Sequence, residues 1–374
     1  MVNRERLVEQ FMAMVRVDSE SGREGRMAAY LKEKLAGMGM EVYVDGAARH
    51  TGTETGNVIA RLRGNLAGVP PILFCAHMDT VAPGRGVEPV LENGVIRSSG
   101  NTVLGADDKA GIVAVLEAVQ VLQERQMAHG DLEMVFTVGE ETGLLGAKFL
   151  DYEGLRARMG FVLDSDRPTG TIINRGPSQD KIVAQVTGKA AHAGINPEEG
   201  INAIQVAARA VAAMRLGRID EETTANIGLI SGGVAINVVP EKVSLSGETR
   251  SLQEEKRARQ TRAMCEALEN AAREAGAKVQ IDVETIYPSM YVPEDAEVVR
   301  LAQKAARAAG LQPEVQSTGG GSDTHLFNAN GIPSVNLGIA MQKVHTTEEY
   351  ITVDDLVADA AYVLSIIRTA AESA

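Results

Sequence analysis

Over the first 175 positions, short apolar runs alternate with longer amphipathic stretches, the pattern of strands threaded between helices. Apolar residues at helical spacing run from Leu7 to Val15, and a second helix is predicted from Gly22 to Leu35, ending near Gly37. Asn57 to Ala60 and Ile72 to Ala76 read as strands. The next helix sets Ile112, Val115, Leu116, Val119 and Leu122 on one stripe, with Asp107 and Asp108 at its mouth, where the helix dipole favours anions. Leu132 to Val138 and Gly160 to Leu163 read as buried strands, as expected when helices cover both faces of a sheet.

From about Gly176 the period changes. Lys181 to Thr187 alternates strictly, with Ile182, Ala184 and Val186 on one face. A helix is predicted from Ile201 to Met214, strands at Ala225 to Ile230, Ala235 to Val238 and Val243 to Glu248, a long helix from Gln253 to Glu274, and a strand from Lys278 to Thr285. That order predicts a small antiparallel sheet with helices on one face. After Pro288 and Pro293 the first pattern returns: a helix from Ala296 to Ala309, one starting at Ser322, a strand from Ser334 to Leu337 and a C-terminal helix from Val353. The expectation is an α/β domain of residues 1–175 and 289–374, with an α+β domain of residues 176–288 inserted into it.

Composition narrows the partners. The 374 residues carry 37 Lys plus Arg against 50 Asp plus Glu, a formal charge of -13, with no Trp and 13 Phe plus Tyr (6 + 7). Basic clusters interleaved with aromatics are missing, so no nucleic-acid or anionic-membrane partner is expected. No apolar run reaches the roughly 18 to 20 residues that span a bilayer, and the charged start MVNRERLVEQ does not read as a signal peptide. Two cysteines, Cys75 and Cys265, give no disulfide framework and suit a reducing cytoplasm.

The chemistry is concentrated at strand ends. The Ile72 to Ala76 run leads into His77-Met78-Asp79; Asp107 and Asp108 follow the turn Gly105-Ala106; Leu132 to Val138 ends in Gly139-Glu140-Glu141; Phe161 to Leu163 ends in Asp164; and His345 follows the Ser334 to Leu337 strand and its loop. The carboxyl ends of strands are where α/β sheets build sites. Singly, an Asp at a helix start reads as a cap and an isolated His as structural. Adjacent carboxylates at Glu140 and Glu141 repel unless a cation or proton intervenes. The joint set of imidazoles and carboxylates without thiolate suits zinc, or cobalt or manganese, and its size fits two ions about 3.5–4 Å apart sharing one carboxylate.

The segments His77-Met78-Asp79-Thr80, Gly105 to Gly111, Gly139-Glu140-Glu141-Thr142-Gly143, Asp164 and Val344-His345-Thr346 resemble the signature segments of the co-catalytic zinc exopeptidases that include peptidase T, carboxypeptidase G and succinyl-diaminopimelate desuccinylase. Leu104 to Gly111 and Thr318 to Asn330 are similar to peptidase T-like members. The resemblance implies a zinc-exopeptidase-like catalytic domain with a mixed, helix-covered sheet and a ferredoxin-like lid or dimerisation domain. It implies that His77 and Asp164 bind one ion, Glu141 and His345 the other, and Asp107 both; that Glu140 is the general base; that Asp79 accepts the other ring N–H of His77; and that the Asp107–Asp108 bond is cis. In the lid, it implies that His192 stabilises the oxyanion in the partner subunit of a homodimer, and that Asn237 and Arg250 contact substrate.

Bland readings stand beside these. His192 also reads as a solvated loop residue, and Arg250 as half of a surface ion pair. The loop Thr318-Gly319-Gly320-Gly321-Ser322 reads equally as a turn or, through the amides of Gly319 and Gly320, as a seat for a substrate carboxylate. His50 and His129 read as surface residues, and His325 has no assigned role. The leading expectation is an aminopeptidase acting on short peptides, tripeptides by resemblance. A carboxypeptidase or N-acyl amino-acid amidohydrolase needs the same ligands, and a non-catalytic metal-stabilised binding protein is the alternative of another class.

Overall fold

In the computed structural model, which describes residues 2–373, a nine-stranded sheet forms the larger of two compact units. The order is Glu41–Val44, Val58–Leu62, Leu132–Thr137, Ile72–His77, Met159–Ser165, Ser334–Gly338, Thr171–Gly176 and Met290–Tyr291, with Glu314–Ser317 pairing on Thr171–Gly176. The four central strands, Leu132–Thr137, Ile72–His77, Met159–Ser165 and Ser334–Gly338, run parallel, and their neighbours run antiparallel. Successive side chains of Ile72–His77 take opposite faces. Ile72, Phe74 and Ala76 join the helices Arg4–Val15, Ala106–Glu124 and Val353–Glu372, whereas Leu73 and Cys75 pack with Leu150, Phe327 and Ile332. Burial on both faces is why these strands are apolar almost throughout.

The predicted stripe of Ala106–Glu124 is buried, but so is most of its remaining surface, since the helix also packs against Arg4–Val15 and Val353–Glu372. Its first turn is irregular: Gly105 is left-handed, the Asp107–Asp108 bond is cis, and both residues have non-helical dihedrals. This unit comprises the chain up to Asn174, Tyr291–Ser317 and the chain from Ser322.

The second unit comprises Arg175–Met290 and Thr318–Gly321. Its antiparallel sheet has the order Gly217–Arg218, Thr223–Gly232, Lys242–Ser251, Ser178–Thr187, Lys278–Tyr287. Ile182, Ala184 and Val186 point inward, as their alternation predicts; Ala184 and Val186 meet Ala203, Val206, Ala207 and Leu268 from the helices Ala203–Ala213 and Glu254–Ala275, and Ile182 packs with Ala225 and Met264.

Several expectations change. Ala235 to Val238 is not a strand: Thr223–Gly232 is longer than its apolar run, and residues 235–238 form the turn that follows it, with only Val238 bridged, to His192. The helix expected from Ser322 is the short Thr324–Ala329. His129 is buried rather than superficial: its Nδ1 lies 2.8 Å from the Gly130 carbonyl, and its own carbonyl accepts from the N–H groups of Asn65 and Leu66 at 3.0 Å. Unpredicted altogether is a three-stranded sheet of Pro89–Glu92, Val95–Ser98 and Tyr350–Thr352. No helix among the described residues is long and apolar enough to cross a membrane.

Candidate metal centre

Parallel register brings the acidic and imidazole residues together. Cys75 pairs with Val162, so two residues further on His77 and Asp164 lie side by side, with 3.8 Å between His77 Nε2 and Asp164 Oδ1. His77 also pairs with Thr137, three residues before Glu140. Asp107 completes the centre from the helix mouth: its Oδ1 lies 3.0 Å from His77 Nε2 and its Oδ2 3.3 Å from His345 Nε2, which is 2.9 Å from Glu141 Oε1. Donor atoms of three overlapping groups, His77/Asp107/Asp164, His77/Glu140/Glu141 and Asp107/Glu141/His345, each converge within 4.8 Å. Asp107 thus reaches one imidazole with each carboxylate oxygen.

The donors have the chemistry of a cation site. His77 Nδ1 lies 2.8 Å from the main-chain carbonyl of Asp79, an arrangement that commits its proton there. Nε2 then faces two carboxylates and needs either a second proton or a cation between them. Without a cation, protons fill that role. His345 is pushed up to about 10 by its hydrogen bonds to Asp107 and Glu141. Burial lowers the His77 imidazole, but its bonds to Asp107 and Asp79 prevail and raise it. Burial lifts Glu140 well above the usual carboxylate range, helped by the charge of Asp164, and burial lifts Asp164 as well. A pair of divalent ions would relieve this excess of negative charge, and these residues fit them.

The partner of the His77 ring differs in detail from the expectation. The Asp79 carboxylate is 3.5 Å from Nδ1, further than the carbonyl of the same residue. That carboxylate instead accepts from the main-chain N–H groups of Glu140 (3.0 Å) and Glu141 (3.3 Å) and from Ser21 Oγ (2.7 Å). Asp79 therefore holds the chain that carries both glutamates while its carbonyl orients the ring.

Buried carboxylates without an assigned role in the sequence do the same for other loops. Glu24 accepts from the N–H of Gly22 and of Gly139, and burial pushes its carboxyl up to about 7. Asp108 accepts from the N–H of His77. Asp323 accepts from Thr137 Oγ1 at 2.6 Å and from the Cys75 thiol at 3.8 Å, linking the ends of two central strands. Glu349 accepts from the N–H groups of Gly105 and Asp107. One local signal existed: Ser21-Gly22-Arg23-Glu24 is the Ser-x-x-Glu pattern of a helix start. Asp108 was marked by its place at the mouth of a helix, and nothing local marks Asp323 or Glu349.

Five further residues lie in the second unit. His192 is exposed; its Nδ1 accepts from the Gly194 N–H, and the Ala193 N–H donates to the Asn237 carbonyl, so His192 and Asn237 are neighbours. Arg250 forms a two-point ion pair with Glu248 (3.0 and 3.1 Å), and its Nη1 lies 3.4 Å from the Gly319 carbonyl. Gly320 donates to Thr318 Oγ1. His50 is exposed and stacks on Phe149. His325 is buried beside Ser322.

Residues 73–369 match the family model for peptidase family M20/M25/M40. The chain belongs to this family. The peptidase is 44% identical to, and superposes with a TM-score of 0.90 on, the aminopeptidase PepT of Bacillus cereus, covering 99% of both chains. Against a tripeptidase of Staphylococcus aureus the identity is 42% and the TM-score 0.95, with all of both chains covered. It is also 44% identical to the uncharacterized protein YqjE of Bacillus subtilis over the full length of both. The chain is therefore a metal-dependent peptidase built on the fold described above.

Proposed function

We propose that this peptidase is an aminopeptidase that removes the N-terminal residue from short peptides, tripeptides among them, using two divalent ions, zinc in the first instance. The observation that carries the reading is Asp107, whose two carboxylate oxygens face two imidazoles in two overlapping donor groups. In it His77 and Asp164 hold one ion, Glu141 and His345 the other, and Asp107 both. Such a pair supplies a water that is nucleophilic at neutral pH and polarises the scissile carbonyl. Glu140, whose pKa burial raises, takes the proton of the attacking water and passes it to the leaving amine. Asp79 keeps Glu140 and Glu141 in place through their main-chain N–H groups.

In the same reading His192 donates to the developing oxyanion in the partner subunit of a homodimer, Asn237 and Arg250 contact the peptide, and the Gly319–Gly320 loop receives its carboxylate. Similarity to a Bacillus cereus protein named as an aminopeptidase and a Staphylococcus aureus protein named as a tripeptidase supports the assignment. A homodimer through the second unit is supported by Thr223–Gly232. Its neighbour Gly217–Arg218 pairs with Thr224 and Ala225, and among the described residues no strand pairs with the outer edge beside the exposed Leu229, Ile230, Val234 and Ile236. An open apolar edge is a template for strand pairing by a second copy. Unpaired Cys75 and Cys265 suit the cytoplasm. Comparing a tripeptide with its N-acetylated form tests the assignment: the free amine should be cleaved much faster, and preference for the blocked peptide would favour an N-acyl amidohydrolase instead.

A further inference from the structure

His345 comes from a loop that does little to fix it. Gln342 and Tyr350 exchange main-chain hydrogen bonds and close the loop. Between them Lys343 and His345 occupy the left-handed region at φ 54° and 63°, uncommon for residues with a Cβ. The bonds inside the loop are local: Thr346 Oγ1 donates to the Lys343 carbonyl, the Glu349 N–H donates to the Thr346 carbonyl, and Lys343 pairs with Glu348 at an exposed site where an ion pair contributes little. The His345 side chain is half exposed.

Glu349, in the same loop, is 2% exposed. Its Oε2 accepts from the Gly105 N–H at 2.8 Å and its Oε1 from the Asp107 N–H at 2.9 Å, across 244 and 242 positions of sequence. The Asp107 carboxylate then reaches His345, which closes a ring: loop, Glu349, Asp107 main chain, Asp107 carboxylate, His345, loop. We propose that Glu349 is a positioning residue for the second ion, fixing Asp107 and His345 relative to one another by clamping the main chain of one to the loop of the other.

The ring predicts an asymmetry, which rests on the two-ion reading above. Two of the three ligands of the second ion, Asp107 and His345, belong to it. The unshared ligands of the first ion are held by other means: the His77 N–H donates to Asp108, and Asn336 both accepts from the Asp164 N–H and donates to the Asp164 carbonyl. Loss of the clamp therefore weakens the second ion selectively.

The test titrates Co2+, followed by its visible absorption and by elemental analysis, into apoprotein of the unsubstituted chain, Glu349→Ala and Glu349→Gln, with the melting temperature of each apoprotein measured alongside. In Glu349→Ala the second equivalent should bind about 10–100-fold more weakly, the range for loss of a group that orients a ligand, with the first unchanged. Glu349→Gln keeps the side-chain length and one carbonyl oxygen, so it should recover part of the loss; it also serves if the alanine variant does not fold. Unchanged affinity for both equivalents in the variants, or equal weakening of both together with a lower apoprotein melting temperature, would overturn the clamp. An unsubstituted chain that takes up fewer than two equivalents would instead overturn the two-ion reading itself, and the clamp with it.

Discussion

Glu140 and Glu141 are adjacent in the chain, yet the structure gives them different surroundings. Glu141 lies 2.9 Å from His345 Nε2, within the group that includes Asp107, whereas Glu140 belongs only to the group with His77 and Glu141. A carboxylate beside the ligands whose proton affinity burial has raised suits proton transfer better than metal holding. Glu140→Gln should keep both ions, measured by elemental analysis, while kcat falls about 10²–10⁴-fold, the usual contribution of a general base. Full metal occupancy with near-normal turnover would remove Glu140 from the mechanism. At this scale the sequence was informative wherever a residue ended an apolar run, as His77, Glu140 and Asp164 do. It was silent on Asp323 and Glu349. A carboxylate in a loop has the same local pattern whether it faces water or accepts an N–H from a segment far away in the chain.

Among the elements, the C-terminal helix Val353–Glu372 was legible from its periodicity, but its buried charge was not interpretable. Asp359 lies 1% exposed on that helix, with one oxygen accepting from Thr169 Oγ1 at 2.6 Å and the other without a hydrogen-bond partner among the described residues. Burial raises its pKa well above the ordinary value, against the Thr169 bond and with help from the charge of Asp355. In the unfolded chain it titrates near 3.9. Above that pH and below its folded value, the native state keeps a proton that the unfolded state has lost, so stability falls as pH rises. Asn mimics the protonated form, so Asp359→Asn should melt higher than the unsubstituted chain at pH 8, with the gap closing towards pH 4. A gap that widens on acidification would contradict the sign. Strands of three or four half-buried residues, such as Pro89–Glu92, Val95–Ser98 and Tyr350–Thr352, escaped the sequence because they are too short to show a period.

For the whole molecule, the formal charge of -13 becomes -13 + 4 = -9 with two divalent ions bound, and the neutralised charge is confined to one unit. Chelation should therefore abolish activity and loosen that unit specifically. Hydrogen exchange should rise in residues 77–80, 139–141 and 343–349 and stay unchanged in the strands of the second unit, with metal restoring both protection and activity. Uniform loosening of both units would place the stabilising effect of the ions elsewhere. The sequence by itself determined the alternation of strands and helices, the change of period near Gly176 and the candidate ligands at strand ends, because side-chain period and residue type are local properties. Only the tertiary structure decided which of them meet. Parallel register sets His77 beside Asp164, the irregular first turn of Ala106–Glu124 aims Asp107 at two imidazoles, and Glu349 reaches across more than 240 positions to hold it there. Those contacts depend on how segments distant in the chain pack together, and no window of sequence contains that information.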